Sequence, residues 1–239
     1  NYHSQINDTD ITMVHKKYEE YIKVNGKDKE AERLRIIANT KCVADNIRFV
    51  SNGISNDILE EFCRIMKNIY IYIWCSKNQL RQLLDFFEDK GCYIDVLTWH
   101  KTNPIPTCNG TYLSDTEYCV LARESGTKIY GTYETKKKWW VSKCNVDDKK
   151  LYSHPTIKPL EIIKNLIINS SKENDVVLDA FMGSGTTAVA CKELNRHFIG
   201  FELNPEFYEI ANSRLNKTET TKEKAERKEK GIQNIFYEP

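Results

Sequence analysis

The sequence predicts an α/β fold built on a largely parallel sheet, and three observations carry that prediction. Short runs of β-branched and aromatic residues alternate with longer segments whose apolar residues recur at helical spacing. The stretch VVLDAFMGSGTTAVACKELNRHFIGFELN, residues 176–204, reads as strand, glycine turn, helix and a second strand ending on an acid. Finally, 239 residues of which 40% are hydrophobic suit one globular domain, or a domain with an insertion.

The elements follow in order. The first sixty residues are polar and mixed, with a charged helical stretch in KKYEEYIKVNGKDKEAERLRII. IYIYIW, residues 69–74, is a short β-rich run and reads as a central strand. Ser76 is placed to cap a helix, SKNQLRQLLDFFEDKG, which stops at Gly91. YIDVLTWHK is the next strand, followed by the loop TNPIPTCNGTYLSD and the strand EYCVLAR. From Glu124 to Leu151 aromatics, lysines and glycines mix without periodicity, which marks an inserted segment. HPTIKP then leads into the helix LEIIKNLIINS. Strand VVLDAF, a helix from about Gly185, strand FIGFEL and a helix opening at Pro205 complete the fold, and the tail NKTETTKEKAERKEK reads as a solvated charged face.

Composition narrows the function classes. Lys plus Arg is 35 against 34 for Asp plus Glu, so any nucleic-acid footprint has to be local. No apolar run is long enough to span a bilayer, and no secretory signal is visible. The chain opens on Asn1 rather than Met, which suggests a fragment or a processed start. Eight scattered cysteines form no C-x-x-C pair, which argues against a zinc site; no metal is expected, and reduced thiols in a cytoplasmic protein are.

The glycine turn restricts the ligand. Gly183 and Gly185 let the backbone turn sharply after the strand, and Glu202 ends the next strand where an acid can accept hydrogen bonds from ribose hydroxyls. Adenosine in some form is implied. A phosphate loop needs a lysine after its last glycine, and here the residues are Thr186 and Thr187. A dinucleotide fingerprint wants a third glycine where Ala188 stands. Asp179 would repel a pyrophosphate but suits an amine-bearing ligand. S-adenosylmethionine, with an adenosine, an ammonium, a sulfonium and no phosphate, meets these conditions.

These residues also carry a resemblance. LDAFMGSGTTAVACKELNRHFIGFELNPEFYEIA resembles the cofactor motif of the amino-methylating DNA methyltransferases, whose usual form is D-P-F-x-G-S-G-T-T. HPTIKP is similar to their H-P-T-x-K-P motif, and WHKTNPIP to the W-x-K-T-N-P-x-P segment of one branch. The three occur in the family's order over residues 97–215. Ala180 departs from the usual proline, which changes loop stiffness and removes no donor.

The resemblance implies a permuted, Rossmann-like S-adenosylmethionine-dependent methyltransferase fold of the β group. Residues 1–123 would form the target-amine half, 124–152 the target-recognition segment, 153–215 the cofactor half and 216–239 the charged tail. It implies that Asp179 and Phe181 line the methionine side and that Gly183, Ser184, Gly185 and Thr186 form the turn. Glu202 would lie at the ribose, Asn204 would belong to the cofactor-binding set, and His154, Thr156 and Lys158 would close the pocket. It places Trp99, His100, Lys101 and Asn103 near the target base, and Lys136, Lys137, Lys138 and Trp139 offer charge beside stacking surface for double-stranded DNA.

The family activates the exocyclic amine of adenine (N6) or cytosine (N4) with a (D/N/S)-P-P-(Y/F) loop, and this chain contains no Pro-Pro pair. Asn103 to Pro106, NPIP, belongs to the later segment. The loop is expected upstream of Asn1, so the catalytic residues are unknown; the alternative is a methyltransferase-like binding protein without turnover. A nicotinamide oxidoreductase and an RNA substrate are the other readings. A homodimer or a restriction–modification partner is the further expectation beside double-stranded DNA. Gly185→Val is expected to abolish cofactor binding by crowding the turn.

Overall fold

The computed structural model describes residues 53–104, 112–144, 157–220 and 223. The charged stretch 16–37, His154, Thr156 and most of the tail lie outside the described residues. Apart from residues 53–55, what is described belongs to one compact unit, Asn56–Pro239.

Its elements run α1 (Asn56–Ile65), β1 (Tyr70–Cys75), α2 (Leu80–Asp89), β2 (Tyr93–Lys101), β3 (Thr116–Arg123) and β4 (Trp139–Ser142). They continue with α3 (Leu160–Ser170), β5 (Val176–Asp179), α4 (Thr186–Glu193), β6 (His197–Gly200) and α5 (Pro205–Lys217). One sheet has the order β1-β3-β2-β4 and the other pairs β5 with β6. β3 is antiparallel to both β1 and β2, and β2 is parallel to β4. Three of the four strands therefore run the same way, with β3 reversed between β1 and β2. β5 and β6 are parallel as well. The mixed α/β class with most strands pointing one way agrees with the sequence expectation.

α3 joins the two sheets. Its Ile163, Leu166 and Ile167 share one buried cluster with Leu97 of β2, Cys119 and Leu121 of β3, and Ala190 and Cys191 of α4. Tyr70, Tyr72 and Trp74 of β1, Val177 of β5 and Phe198 of β6 pack against that cluster. The first residues of α3 lie by Glu117, through Lys158, while its last turn meets Tyr70, whose hydroxyl donates to the Asn169 carbonyl at 3.5 Å. α3 thus descends from the carboxyl end of β2 to the amino end of β1. β5 starts below and climbs back, so Asp179 ends on the same rim as Lys101.

Local chemistry explains the boundaries. β2 and α3 fall on the predicted residues, and α5 opens at Pro205 with Asn204 as its cap, whose Oδ1 accepts from the Glu206 and Phe207 amides at 2.9 and 3.4 Å. α2 starts later than expected. Ser76 does not cap it; its carbonyl accepts from the Gln79 amide in a preceding turn, and Gln79 occupies the cap with its Oε1 turned back to accept from the Ser76 amide at 3.3 Å. Two elements escape the sequence pattern. α1 carries Asp57, Glu60, Glu61 and Arg64 in ten residues and buries only Leu59 completely. β4 is four residues long and alternates exposed and half-buried positions, so it offers no apolar run.

Candidate cofactor and nucleic-acid site

The turn after β5 is held almost entirely by its own chain. The Phe181 amide donates to Asp179 Oδ1 at 3.0 Å, and the Met182 amide to the Phe201 carbonyl at 3.0 Å. The Gly183 amide donates to Glu202 Oε2 at 2.8 Å, and the Gly185 amide to the Met182 carbonyl at 2.8 Å. Gly183 and Gly185 have φ of 51° and 78°, values that glycine adopts without cost. Glu202 is clamped on its other oxygen too, Oε1 accepting from the Asn204 amide at 2.9 Å.

Four amides of the turn are consequently spent inside the protein. An anion cradle requires such amides to point outward at the ligand. Here two carboxylates, Asp179 and Glu202, stand at the turn instead. Burial pushes the Asp179 carboxyl above the usual aspartate range, with the Thr187 hydroxyl and the Phe181 amide pulling it back and Glu202 adding to the rise. Phe181 is 61% exposed, with the Phe62 ring edge-on to it at 6.3 Å between centroids, so one aromatic face is open at the rim. A carboxylate has about four lone-pair positions, so Glu202 can accept hydroxyl protons while keeping both amides.

Two of the turn residues have their side chains behind the turn. Ser184 and Thr186 are buried, and the buried Arg214 of α5 donates to the Ser184 carbonyl at 2.7 Å, to Ser184 Oγ at 3.1 Å and to Thr186 Oγ1 at 3.3 Å. A Cβ on Gly185 would stand 2.7 Å from the Ala211 Cβ of α5. Gly185 is therefore required by its dihedral and by the closeness of α5, and the crowding expected of its substitution falls on Ala211 of that helix. Sequence reasoning missed Arg214, which lies thirty residues after Ser184 in an exposed-looking helix; a basic residue in the last turn of α5 was the available signal.

On the other half of the rim the structure corrects the base contact predicted for Trp99. Trp99 is 1% exposed, and its Nε1 donates to Ser142 Oγ at 2.8 Å, so it ties β2 to β4 and touches no external base. The His100 ring sits between Thr98 Oγ1 at 3.0 Å and Thr116 Oγ1 at 3.2 Å. Asn103 Oδ1 accepts from the Cys144 amide at 2.6 Å. These three secure the strand ends.

Lys101 belongs to a cluster that the sequence did not reveal. Glu117 at the start of β3 places Oε1 2.7 Å from Lys101 Nζ and Oε2 2.8 Å from Lys158 Nζ. The Lys101 ammonium lies 5.5 Å from the Trp99 ring centroid and the Lys158 ammonium 5.4 Å from that of Trp74. Burial raises the Glu117 carboxyl, but Lys158 and Lys101 together outweigh it and hold the group below the usual glutamate range.

Lys136, Lys137 and Lys138 lie elsewhere. Lys138 pairs with Asp95 near the amino end of β2, and Lys137 with Glu134. Six residues separate Asp95 from Lys101, about 20 Å along an extended strand. The lysine run and the rim are thus at opposite ends of β2. Trp139 is 55% exposed beside it. The segment is fastened to the end of α3: Tyr130 N donates to the Asn169 carbonyl at 2.8 Å, Thr135 Oγ1 to Asn169 Oδ1 at 2.8 Å, and Asn169 Nδ2 to the Thr135 carbonyl at 2.8 Å. Among the described residues no group of three or more His, Cys, Asp or Glu is arranged to hold a metal, and no helix is long and apolar enough to cross a membrane.

Comparison with known proteins agrees with this geometry. The chain is 40% identical over 140 residues to the type II methyltransferase M2.LlaDCHI of Lactococcus lactis subsp. cremoris, covering 53% of this chain and 52% of that protein. It is 29% identical over 194 residues to M.HpaI of Haemophilus parainfluenzae, covering 72% and 62%. It spans about half the length of the first relatives it matches. A crystal structure of an M1.HpyAVI–SAM complex superposes with a TM-score of 0.55 at 33% identity, covering 64% of this chain and 76% of that one. The family model for DNA methylases of the N6/N4 type matches residues 14–213, and the chain belongs to that family.

Proposed function

We propose that the chain carries the cofactor half of a site-specific DNA methyltransferase that uses S-adenosylmethionine and methylates the exocyclic amino group of adenine (N6) or cytosine (N4). The observation that carries this reading is the inward-turned set of amides at residues 181–185 with Asp179 and Glu202 beside them. That arrangement supports a phosphate-free adenosyl ligand over NAD, whose pyrophosphate needs outward amides and is repelled by Asp179.

In this reading Glu202 holds the ribose hydroxyls, its orientation fixed by the Gly183 and Asn204 amides. Asp179 faces the ammonium, and Phe181 supplies an apolar wall. Lys158, with His154 and Thr156, closes the methionine side. When bound, the cofactor supplies an electrophilic sulfonium methyl; the chain orients it and keeps the site's acids in place before the target amine arrives. Double-stranded DNA is the substrate in this reading, with a cytoplasmic location. The exposed Trp139 and Lys136 are the members of the lysine run's surface that remain available to the duplex backbone.

The test, run on the full-length protein, is transfer of tritium from methyl-labelled S-adenosylmethionine into duplex DNA. Label recovered in N6-methyladenine or N4-methylcytosine supports the proposal. Cofactor and DNA binding with no label transferred favours the binding-protein reading.

A further inference from the structure

We propose that Glu117 is a positioning residue of the cofactor site, its carboxylate fixing the Lys158 ammonium for the carboxylate of the methionine tail. This rests on the reading of the rim as an S-adenosylmethionine site and adds a residue that none of the sequence motifs contains.

S-adenosylmethionine ends in an ammonium and a carboxylate, so a site that holds both must offer an acid and a base. Asp179 and Glu202 at the turn are acids. Arg214 is committed behind the turn to Ser184 and Thr186. Lys158 stands at the head of α3, on the rim where β5 ends, and a lysine's recognition chemistry is donation to an anion.

A lysine head on a flexible four-carbon stem recognises poorly unless something holds it. Glu117 does so from β3, across the chain from the motif. Its Oε2 lies 2.8 Å from Lys158 Nζ, the Trp74 indole lies 5.4 Å away on another side, and the Lys158 side chain is only 20% exposed. Glu117 is itself held by Lys101 through Oε1 at 2.7 Å and by its place opposite Trp99 in the β2–β3 ladder. A target-half strand thereby sets the position of a cofactor-half side chain. A carboxylate shared by two ammonium groups also keeps both heads from swinging out to water.

Calorimetric titration with two ligands tests this. S-adenosylmethionine carries the tail, whereas 5′-methylthioadenosine keeps the adenosine and sulfur and lacks the amino-acid group. Glu117→Gln should weaken S-adenosylmethionine about tenfold and leave methylthioadenosine unchanged, the loss expected for one misplaced charge-assisted hydrogen bond. In a Lys158→Met background, the same change should cost nothing further. Should Glu117→Gln lose the fold, Glu117→Asp keeps the charge but retracts the oxygens, and it should again weaken only the tailed ligand. Equal weakening of both ligands, or unchanged S-adenosylmethionine affinity, overturns the proposal while leaving the cofactor reading standing. Wild type that binds neither ligand overturns both.

Discussion

The β5–α4 turn and the carboxyl end of β2 both carry family motifs, yet they use them differently. At the turn, backbone amides are bent inward and two acids stand at the rim. At the end of β2, the motif's Trp99 is buried and bonded to Ser142 of β4, His100 lies between Thr98 and Thr116, and Asn103 accepts from the Cys144 amide. One motif bends a turn and leaves two acids beside it, and the other clamps a sheet. A recurring sequence pattern therefore marks where precision is required and leaves open whether a side chain meets ligand or protein. Burial and hydrogen-bond partners decide that.

The largest effect expected from this contrast is at Gly185. Valine there takes a strained φ of 78° and collides with Ala211, so Gly185→Val should destabilise the fold by about 3–5 kcal/mol in urea unfolding, with loss of binding following from that. Unchanged stability would contradict the collision with Ala211. Trp99→Ala should cost about 3–5 kcal/mol through its emptied buried volume. Trp99→Phe, which drops the bond to Ser142, should cost about 1–3 kcal/mol and leave the DNA affinity of the folded protein unaltered. A base contact would show the reverse.

Next is Arg214→Met, which leaves the Ser184 carbonyl and two hydroxyls short of a donor and should cost about 2–4 kcal/mol in the same unfolding measurement. Smaller is the pH response of Glu117. Its folded pKa is lowered below 4.5, so its contribution is complete above that value and is lost as the pH falls through the lowered one. Glu117→Gln should therefore flatten the acid limb of the stability profile. The smallest effect is at Lys137, a surface partner of Glu134, where alanine should change stability by no more than about 0.5 kcal/mol.

How far the sequence could be read depends on what each element rests on. β2 and α3 are legible to the residue because their apolar residues repeat with a strand and a helix period. α5 is legible because Asn204 and Pro205 are local signals that act within one turn. The glycine turn was readable as to ligand class, since its acids and missing lysine stand within the motif. Glu117 and Arg214 were not, because each works on residues about thirty to forty positions away and carries no local pattern. β4 stayed hidden because a short edge strand with alternating exposure takes its stability from β2 rather than from its own residues. Lys136 to Lys138 looked like a single charged patch, yet two of the three are paired with acids, one of them on a strand more than thirty residues earlier.

The central claim is that the turn between β5 and α4 selects an adenosyl ligand without phosphate. Calorimetry with S-adenosylmethionine and NAD, on wild type and Glu202→Ala, tests it most directly. The account predicts that wild type binds S-adenosylmethionine and not NAD, and that Glu202→Ala, which removes the ribose acceptor, weakens S-adenosylmethionine at least tenfold. NAD bound by wild type, or S-adenosylmethionine bound equally well without Glu202, would contradict it.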